Sequence, residues 1–217
     1  MMKNILFSLI SFLFFTCVHE NHKTEFHCEG EPLIFKLKVS EISGKNENFI
    51  SHQGVKKFES YISLSLNYKP YEALFAELQK PFGPLKSRSE AHITVITPPE
   101  FDEVLSPYLT IDEIELLAKS SHLQQSRLSP VCIGRAQANL SDITQSTYFI
   151  VIESTDIITF RRLVFKEFVA KGGSASKFDP ENFYPHITIG FSLRDLHESD
   201  GVKKGKNACI SKLDLQH

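Results

Sequence analysis

The first half of the chain changes from a strand pattern to a helix pattern and back. Every second residue is apolar from Ile62 to Leu66, and such alternation is typical of a strand with one buried face. In the segment 70–80 the apolar residues recur at helical spacing: Leu74, Phe75 and Leu78. Pro81 and Gly83 then end the helical pattern. The stretch 92–95 is again apolar and β-branched, so the pattern predicts a strand, a helix and a strand in this order.

The same order recurs in the second half of the chain. The run 148–152 is a strand pattern, and the segment 155–171, which Gly172 and Gly173 end, is a helix pattern. Its predicted buried face consists of five apolar residues: Ile157, Phe160, Leu163, Val164 and Phe168. Tyr61 precedes His92 by 31 residues and Tyr148 precedes His186 by 38, a difference that loops absorb at little entropic cost. The repetition predicts an internal duplication.

Both units end in nearly the same tetrapeptide, His92-Ile93-Thr94-Val95 and His186-Ile187-Thr188-Ile189. Residues i and i+2 of a strand share a face, so each histidine stands beside its threonine. For either tetrapeptide alone, an ordinary strand whose polar residues face water is the simpler interpretation. Two such motifs at equivalent places of two similar units indicate one symmetric site.

Two histidines and two threonines suit phosphodiester chemistry. Cleavage of a phosphodiester needs one group that takes a proton from the attacking oxygen and another that gives a proton to the leaving oxygen. The imidazole pKa of about 6.5 allows both roles near neutral pH. Threonine hydroxyls can donate to the non-bridging oxygens, where charge builds in the transition state. The chemistry then requires no metal.

The chain resembles the two-histidine (2H) phosphoesterase superfamily, whose hallmark is two His-x-Thr/Ser motifs in pseudo-symmetric lobes. Both tetrapeptides carry the resemblance, and so does the run FDPENFYPHITIGF at 178–191, which is similar to the Swiss army knife RNA-repair-like branch. The resemblance spans about residues 58 to 195 and does not extend to the N-terminal segment.

The resemblance implies an α+β fold in which two pseudo-symmetric strand–helix–strand lobes, with antiparallel sheets, flank a central cleft. It implies a cyclic phosphodiesterase that opens a 2',3'-cyclic phosphate, on an RNA end or a small nucleotide, to a 2'-phosphate without a cofactor. The implied catalytic residues are His92, Thr94, His186 and Thr188. We assign the base role to His186 and the acid role to His92, and the pseudo-symmetry leaves the reverse assignment open.

The candidate substrate contacts are one tyrosine and two arginines. Tyr184 lies two residues before His186 and shares its face on a regular strand, so it is a candidate to bind phosphate or to stack on a base. Arg135 and Arg88 are candidate cationic contacts, although an ordinary surface arginine explains each equally well. Strict alternation places Phe191 on the opposite face, in the core, unless a bulge at its neighbouring glycine redirects it.

The remaining elements of this domain are predicted from local signals. Thr110 and Glu113 fit a capping box, so a helix is expected to run to about Lys119. The segments 131–135 and 209–213 are predicted strands. The lysines at 203, 204 and 206 are expected on a solvated surface.

The N-terminus predicts export. A short basic lead precedes the eleven-residue apolar run from Ile5 to Phe15, which suits a signal peptide and is too short to span a bilayer. Cys17 follows that run and is a candidate site for a lipid anchor, although Phe15-Thr16 departs from the usual small residues. The predicted organisation is a signal segment at 1–17, a tether with a lead-in strand at 18–55, and the phosphoesterase-like domain at 56–217.

Composition and cysteine spacing narrow the function classes. A net charge of -2 argues against a protein that grips long nucleic acid, because such domains are usually basic. The four cysteines lack CxxC spacing, so one disulfide of unspecified pairing is expected rather than a zinc site. A metal cluster in the tether is less favoured than a solvated linker, although it has four candidate ligands: His19, His22, His27 and Cys28.

Three alternatives to a cyclic phosphodiesterase of RNA ends remain open. A surface lipoprotein would bind nucleotide-like ligands in the same cleft without turnover. An RNA end ligase would run the same chemistry in reverse. A third enzyme would act on a cyclic phosphate of a sugar or coenzyme. In each case the expected partner is a phosphate compound, and membrane association would run through a lipid at Cys17.

Overall fold

The computed structural model describes residues 33–216. The helices and strands within this range follow in chain order: β1 Ile34–Lys38, β2 Ile62–Leu66, α1 Lys69–Phe82, β3 Ala91–Ile96, α2 Ile111–Ser120, β4 Ser129–Leu140, β5 Ile143–Glu153, α3 Thr155–Ala170, β6 His186–Phe191 and β7 Cys209–Gln216. The predicted signal segment, Cys17 and the candidate metal ligands of the tether lie outside the described residues. No helix within residues 33–216 has both the length and the apolar character that crossing a bilayer requires.

The strands form two sheets. One has five strands in the order β1-β7-β4-β5-β6, and the other pairs β2 with β3. Neighbouring strands are antiparallel except β1 and β7, which are parallel. The compact unit begins at Ile34, so β1, in the segment expected to be a tether and lead-in strand, is an edge strand of the larger sheet.

The two strand–helix–strand units, β2-α1-β3 and β5-α3-β6, share a pairing register. The paired positions on the motif face are Ser65–His92 and Ser63–Thr94 in the first unit, and Val151–His186 and Phe149–Thr188 in the second. A register shift interrupts both ladders at the equivalent point, before Ser63 and before Phe149. The α+β prediction with two similar lobes is therefore confirmed, with the parallel β1–β7 pair as an addition to it.

One apolar core lies beneath both motif strands. The residues of α1 that it contains are Tyr71, Leu74 and Leu78, and those of α3 are Ile157, Phe160, Val164 and Phe168. Ile93 and Ile187, between the histidine and threonine of each motif, are fully buried in the same core. The motif side chains consequently point to the other face of each strand. Leu163 is 38% exposed, against prediction, because it lies about 240° around the helix from Ile157.

A buried arginine connects the two units. Arg161, on the core-facing side of α3, has no solvent exposure and donates to the carbonyl oxygen of Val95 in β3 at 2.7 Å. It also forms a paired contact with the carboxylate of Glu100, with its closest approach at 2.8 Å. The guanidinium lies over the rings of Phe178 and Phe183 as well. This one side chain therefore ties the end of β3 to α3 and to the loop before β6.

The connecting segments agree in part with the predictions made from the sequence. The capping box of Thr110 and Glu113 forms as predicted and starts α2. β4 is longer than predicted. A disulfide joins Cys132 of β4 to Cys209 of β7, which supplies the pairing that spacing alone left open.

Candidate active site

The first motif lies on the small sheet. His92 and Thr94 of β3 are half-buried, and Ser65 and Ser63 of β2 lie opposite them on the same face. Nδ1 of His92 lies 3.6 Å from a carboxylate oxygen of Glu90. The neighbourhood of this imidazole is thus polar on two sides.

The second motif lies at the edge of the large sheet. Nδ1 of His186 donates to the carbonyl oxygen of Tyr184 at 2.8 Å, and a carbonyl can only accept, so the neutral ring carries its proton on Nδ1. The lone pair is then on Nε2. The ring of Phe149 meets the imidazole edge-on with 5.6 Å between centroids. The second imidazole thus packs against a buried aromatic ring.

The two motifs approach each other because the sheets meet at their ends. Lys86, before β3, exchanges two backbone hydrogen bonds with Phe191 at the end of β6, at 2.8 and 2.9 Å. The charge of a protonated His92 lowers the pKa of His186, and the carboxylate of Asp195 raises the pKa of both histidines. The two imidazoles and this carboxylate therefore lie within electrostatic reach of one another.

A buried carboxylate and two cations border the second motif. Only one of these three groups was predicted from the sequence as a candidate substrate contact. Asp195 accepts a hydrogen bond from Lys204 at 2.7 Å and one from the hydroxyl of Thr188 at 3.3 Å. Arg88, a sequence candidate, donates to the same carboxylate at 3.4 Å. Burial raises the pKa of Asp195, but the charge and hydrogen bond of Lys204 and the charges of His197 and Arg88 outweigh it and the net shift is downward. Asp195 is therefore ionised in the folded protein.

Sequence reasoning placed the lysine run on the solvated surface. That prediction is confirmed for Lys203 and Lys206, which are exposed, and is wrong for Lys204, which is only 4% exposed. Nothing in the spacing of the three lysines distinguishes them, because the turn that buries Lys204 packs on strands distant in the chain. No sequence pattern marked Asp195 as a site residue either.

A third histidine lies on the side of the first motif. The ring of His52 stacks on Tyr61, with centroids 4.1 Å apart and planes inclined by 14°. Burial lowers the pKa of His52, while the carboxylates of Glu90 and Glu115 oppose that shift. The charge of His52 in turn acts on His92. The predicted tether thus supplies a side chain to the edge of the site.

Burial is the largest influence on both motif histidines. It lowers the pKa of His186 to about 3, with a further contribution from the charge of Lys204. It also lowers the pKa of His92, where Glu90 acts in the opposite direction. Both imidazoles are therefore neutral at pH 7 in the free protein, and an anion placed between them would raise both pKa values.

The other predicted contacts have different outcomes. Tyr184 lies beside the site, where its ring packs against Gly205 and below the ammonium of Lys203. Arg135 pairs with Tyr148 on the opposite face of the large sheet, so its assignment as a substrate contact is wrong. The residue is one position out of phase with Gly134, which faces the motif side. Phe191 is buried, at 9% exposure, but the bulge before it places it opposite Thr147, on the motif face.

Within residues 33–216 we find no group of three or more His, Cys, Asp or Glu side chains arranged to hold a metal ion. The residues that converge near the motifs instead offer two imidazoles, hydroxyl donors and the cations Arg88 and Lys204. This set can bind an anionic group and move protons on either side of it.

Comparison with known proteins agrees with this geometry. The family model described as Swiss Army Knife, 2H phosphoesterase domain matches residues 60–197. No curated protein and no solved structure matches the chain. The matched range includes both motifs, Asp195 and the helices that carry the core, and it spans more than half of the chain. The chain therefore belongs to the 2H phosphoesterase superfamily, in its Swiss Army Knife branch.

Proposed function

We propose that this phosphoesterase hydrolyses 2',3'-cyclic phosphates, on RNA ends or on small nucleotides, by metal-independent general acid/base catalysis. His186 and His92 are the proton-transfer residues, and the hydroxyls of Thr188 and Thr94 bind the non-bridging oxygens of the phosphate. The supporting observation is the shared register of the two motifs, which gives each imidazole a threonine on its own face, together with the Lys86–Phe191 backbone pair that joins the two sheets beside the motifs.

The proposed reaction consumes one water. The water oxygen attacks phosphorus while Nε2 of His186 takes its proton, and the bond from phosphorus to the ribose 3'-oxygen breaks. Protonated His92 gives its proton to that leaving oxygen, so the product is a 2'-phosphate. The two histidines end with exchanged protonation states, and solvent restores them.

The role assignment follows the surroundings of each imidazole. The carbonyl of Tyr184 fixes the His186 proton on Nδ1, and the nearby ammonium of Lys204 disfavours a second proton. Glu90 lies beside His92 and favours its protonated form. Base chemistry therefore suits His186 and acid chemistry suits His92, and the bound phosphate adds negative charge that promotes protonation of His92.

The test is product analysis with the four 2',3'-cyclic nucleotides and an oligonucleotide with a cyclic phosphate end, in the presence of EDTA. Phosphorus NMR identifies whether the 2'-phosphate forms. His92→Ala and His186→Ala are expected to fold and to lose at least about 100-fold in rate, as loss of a general acid or base does. His122→Asn is the matched control, since His122 is exposed and has a positive φ of 54° that asparagine tolerates.

The activity of the variants and the products formed distinguish the proposed reaction from its alternatives. Full activity in either alanine variant contradicts the two-histidine mechanism. Binding of the nucleotides without any product contradicts hydrolysis and favours the ligand-binding lipoprotein. Turnover of a cyclic phosphate on a sugar or coenzyme, with none on nucleotides, retains the mechanism and replaces the substrate.

We also propose that the protein is exported and that Cys17 carries a lipid. The support is the apolar run before Cys17 in the sequence. Labelling with a radioactive fatty acid in the native host, compared between the wild type and Cys17→Ser, tests this location. Equal labelling of both proteins, or none of the wild type, contradicts the anchor.

A further inference from the structure

The ammonium of Lys204 is buried where a charge is costly. The side chain is 4% exposed, and Asp195, which accepts its hydrogen bond at 2.7 Å, is 7% exposed. Removing two charges from water costs several kcal/mol per ion, and the attraction between them often only balances that cost. A buried ion pair that serves stability alone can commonly be replaced by apolar residues. The position of this pair beside the second motif therefore points to a functional role.

Asp195 connects Lys204 to a motif residue. One carboxylate oxygen accepts from Lys204, and the other accepts from the hydroxyl of Thr188 at 3.3 Å and from Arg88 at 3.4 Å. The lysine thus fixes the carboxylate that holds the Thr188 hydroxyl in the free protein. A shift of this carboxylate would change the direction in which the hydroxyl donates.

Lys204 is connected to His186 by a second route. Its ammonium lies 5.8 Å from the centroid of the Phe149 ring, and the same ring meets the His186 imidazole edge-on at 5.6 Å. Phe149 is fully buried, so little water screens the lysine from the imidazole. A fixed positive charge in this position opposes protonation of His186.

We propose that Lys204 is a positioning residue of the phosphoesterase reaction, acting through Asp195 on the hydroxyl of Thr188 and through its own charge on His186. The inference rests on the proposed function, because it assigns a task to each partner in that reaction. The competing explanation is that the ion pair only anchors the turn before β7.

Other charged and titratable groups also act on the pKa values of the same two histidines. Those that act on His186 are Lys204, Asp195, His92 and the carbonyl of Tyr184, and those that act on His92 are Glu90, Arg88, His52 and Asp195. Lys204 is the strongest charged influence on His186, ahead of Asp195. Removal of Lys204 must therefore raise the pKa of His186, and removal of both charges must raise it by less.

The first experiment follows protonation of His186 without substrate. The imidazole C–H signals are recorded by NMR from pH 2 to pH 8, a range that includes the His186 pKa of about 3, and the His186 signal is assigned by its absence in His186→Ala. Lys204→Met is expected to raise the His186 titration midpoint by about one pH unit or more, the usual effect of a close charge. Lys204→Arg keeps the charge and should leave the midpoint near that of the wild type.

Two further variants guard against a folding defect. Lys204→Met with Asp195→Asn leaves no unpaired buried carboxylate, and its midpoint is expected to rise by less than in Lys204→Met alone. Lys206→Met is the matched control, because Lys206 is exposed, lies two residues away and pairs with Glu153 at the surface. It should change neither the titration nor the activity.

The second experiment measures kcat/KM and kcat on a 2',3'-cyclic nucleotide across the same pH range. Lys204→Met is expected to lose about 10-fold to 100-fold in kcat, as small misplacements of catalytic groups do, with a smaller change in KM. Its acid limb should move to higher pH, and Lys204→Arg should recover most of kcat.

The two experiments separate the two proposals. If the wild type shows no turnover, the proposed function fails, and the NMR midpoints still show whether Lys204 controls His186. If the wild type is active, unchanged midpoints in Lys204→Met overturn the inference, and so does full activity. Equal loss in Lys204→Met and Lys204→Arg without any shift in midpoint also overturns it, in favour of the anchoring explanation.

Discussion

The ring of Phe149 lies edge-on against the imidazole of His186 at an interplanar angle of 68°. In the other unit, the residue that corresponds to Phe149 is Ser63, which pairs with Thr94 on the face that carries His92. The duplicated units therefore present the same motif residues in different surroundings, with a buried aromatic ring beside His186 and serines opposite the first motif. In the proposed mechanism, this difference favours opposite proton-transfer roles for the two histidines.

The pH dependence of the reaction should reflect these surroundings. In the proposed mechanism, the reactive form needs neutral His186, present above its pKa of about 3, and protonated His92, present below its pKa, which burial lowers from 6.5. We expect kcat/KM, which reports the free enzyme, to peak on the acid side of pH 6.5 and to fall towards alkaline pH. Initial rates at low substrate concentration from pH 4 to pH 9 measure this profile. A maximum above pH 7.5 would contradict it.

Stability should depend on pH through His186. Its pKa is lower in the folded protein than in the unfolded chain, so unfolding takes up a proton below about pH 6.5. The contribution of neutral His186 is fully present above that pH and is lost as the pH falls towards 3. We expect His186→Gln to lose less unfolding free energy than the wild type between pH 7 and pH 4. Urea unfolding at several pH values provides the comparison, and parallel curves would refute the assignment.

The disulfide should contribute strongly to stability. Cys132 and Cys209 are separated by 77 residues, and in the chain-entropy estimate closing a loop of that length destabilises the unfolded chain by about 4.5 kcal/mol. The double variant Cys132→Ser, Cys209→Ser is expected to lose up to that amount of unfolding free energy. Reduced wild type serves as control and should unfold at a similar urea concentration. If neither loses stability, the cross-link has no such effect.

Replacing Arg161 should destabilise the domain far more than replacing its neighbour. Arg161→Met leaves Glu100 and the Val95 carbonyl without their buried donor, and breaking such a contact costs about 3–5 kcal/mol. Arg162→Met is the matched control on the same helix, since Arg162 is largely exposed and its pair with Glu181 contributes about 1 kcal/mol or less. Chemical denaturation of both variants measures the difference. Similar losses of unfolding free energy in the two variants would show that the buried contacts of Arg161 contribute no more than a surface ion pair.

The elements of the fold were largely predictable from local patterns. Alternation and helical spacing predicted both strand–helix–strand units, and the ends of α1 and α3 differ from prediction by at most two residues. The capping box likewise depends on residues three apart. Leu163 was misplaced because its hydrophobicity outweighed its position about 240° around the helix from Ile157, and the charged Arg161 instead occupies the buried face beside Phe160.

The sequence by itself determined the two His-x-Thr motifs and their faces, because strand alternation is a local property of the backbone. Only the tertiary structure decided what surrounds them. Register between distant strands moved Arg135 to the far face and a bulge turned Phe191 to the near one. Burial of Lys204 against Asp195, and the Cys132–Cys209 pairing, depend on which segments pack together. Charge and burial at this site are sums over neighbours that are far apart in the chain, so no local pattern contains them.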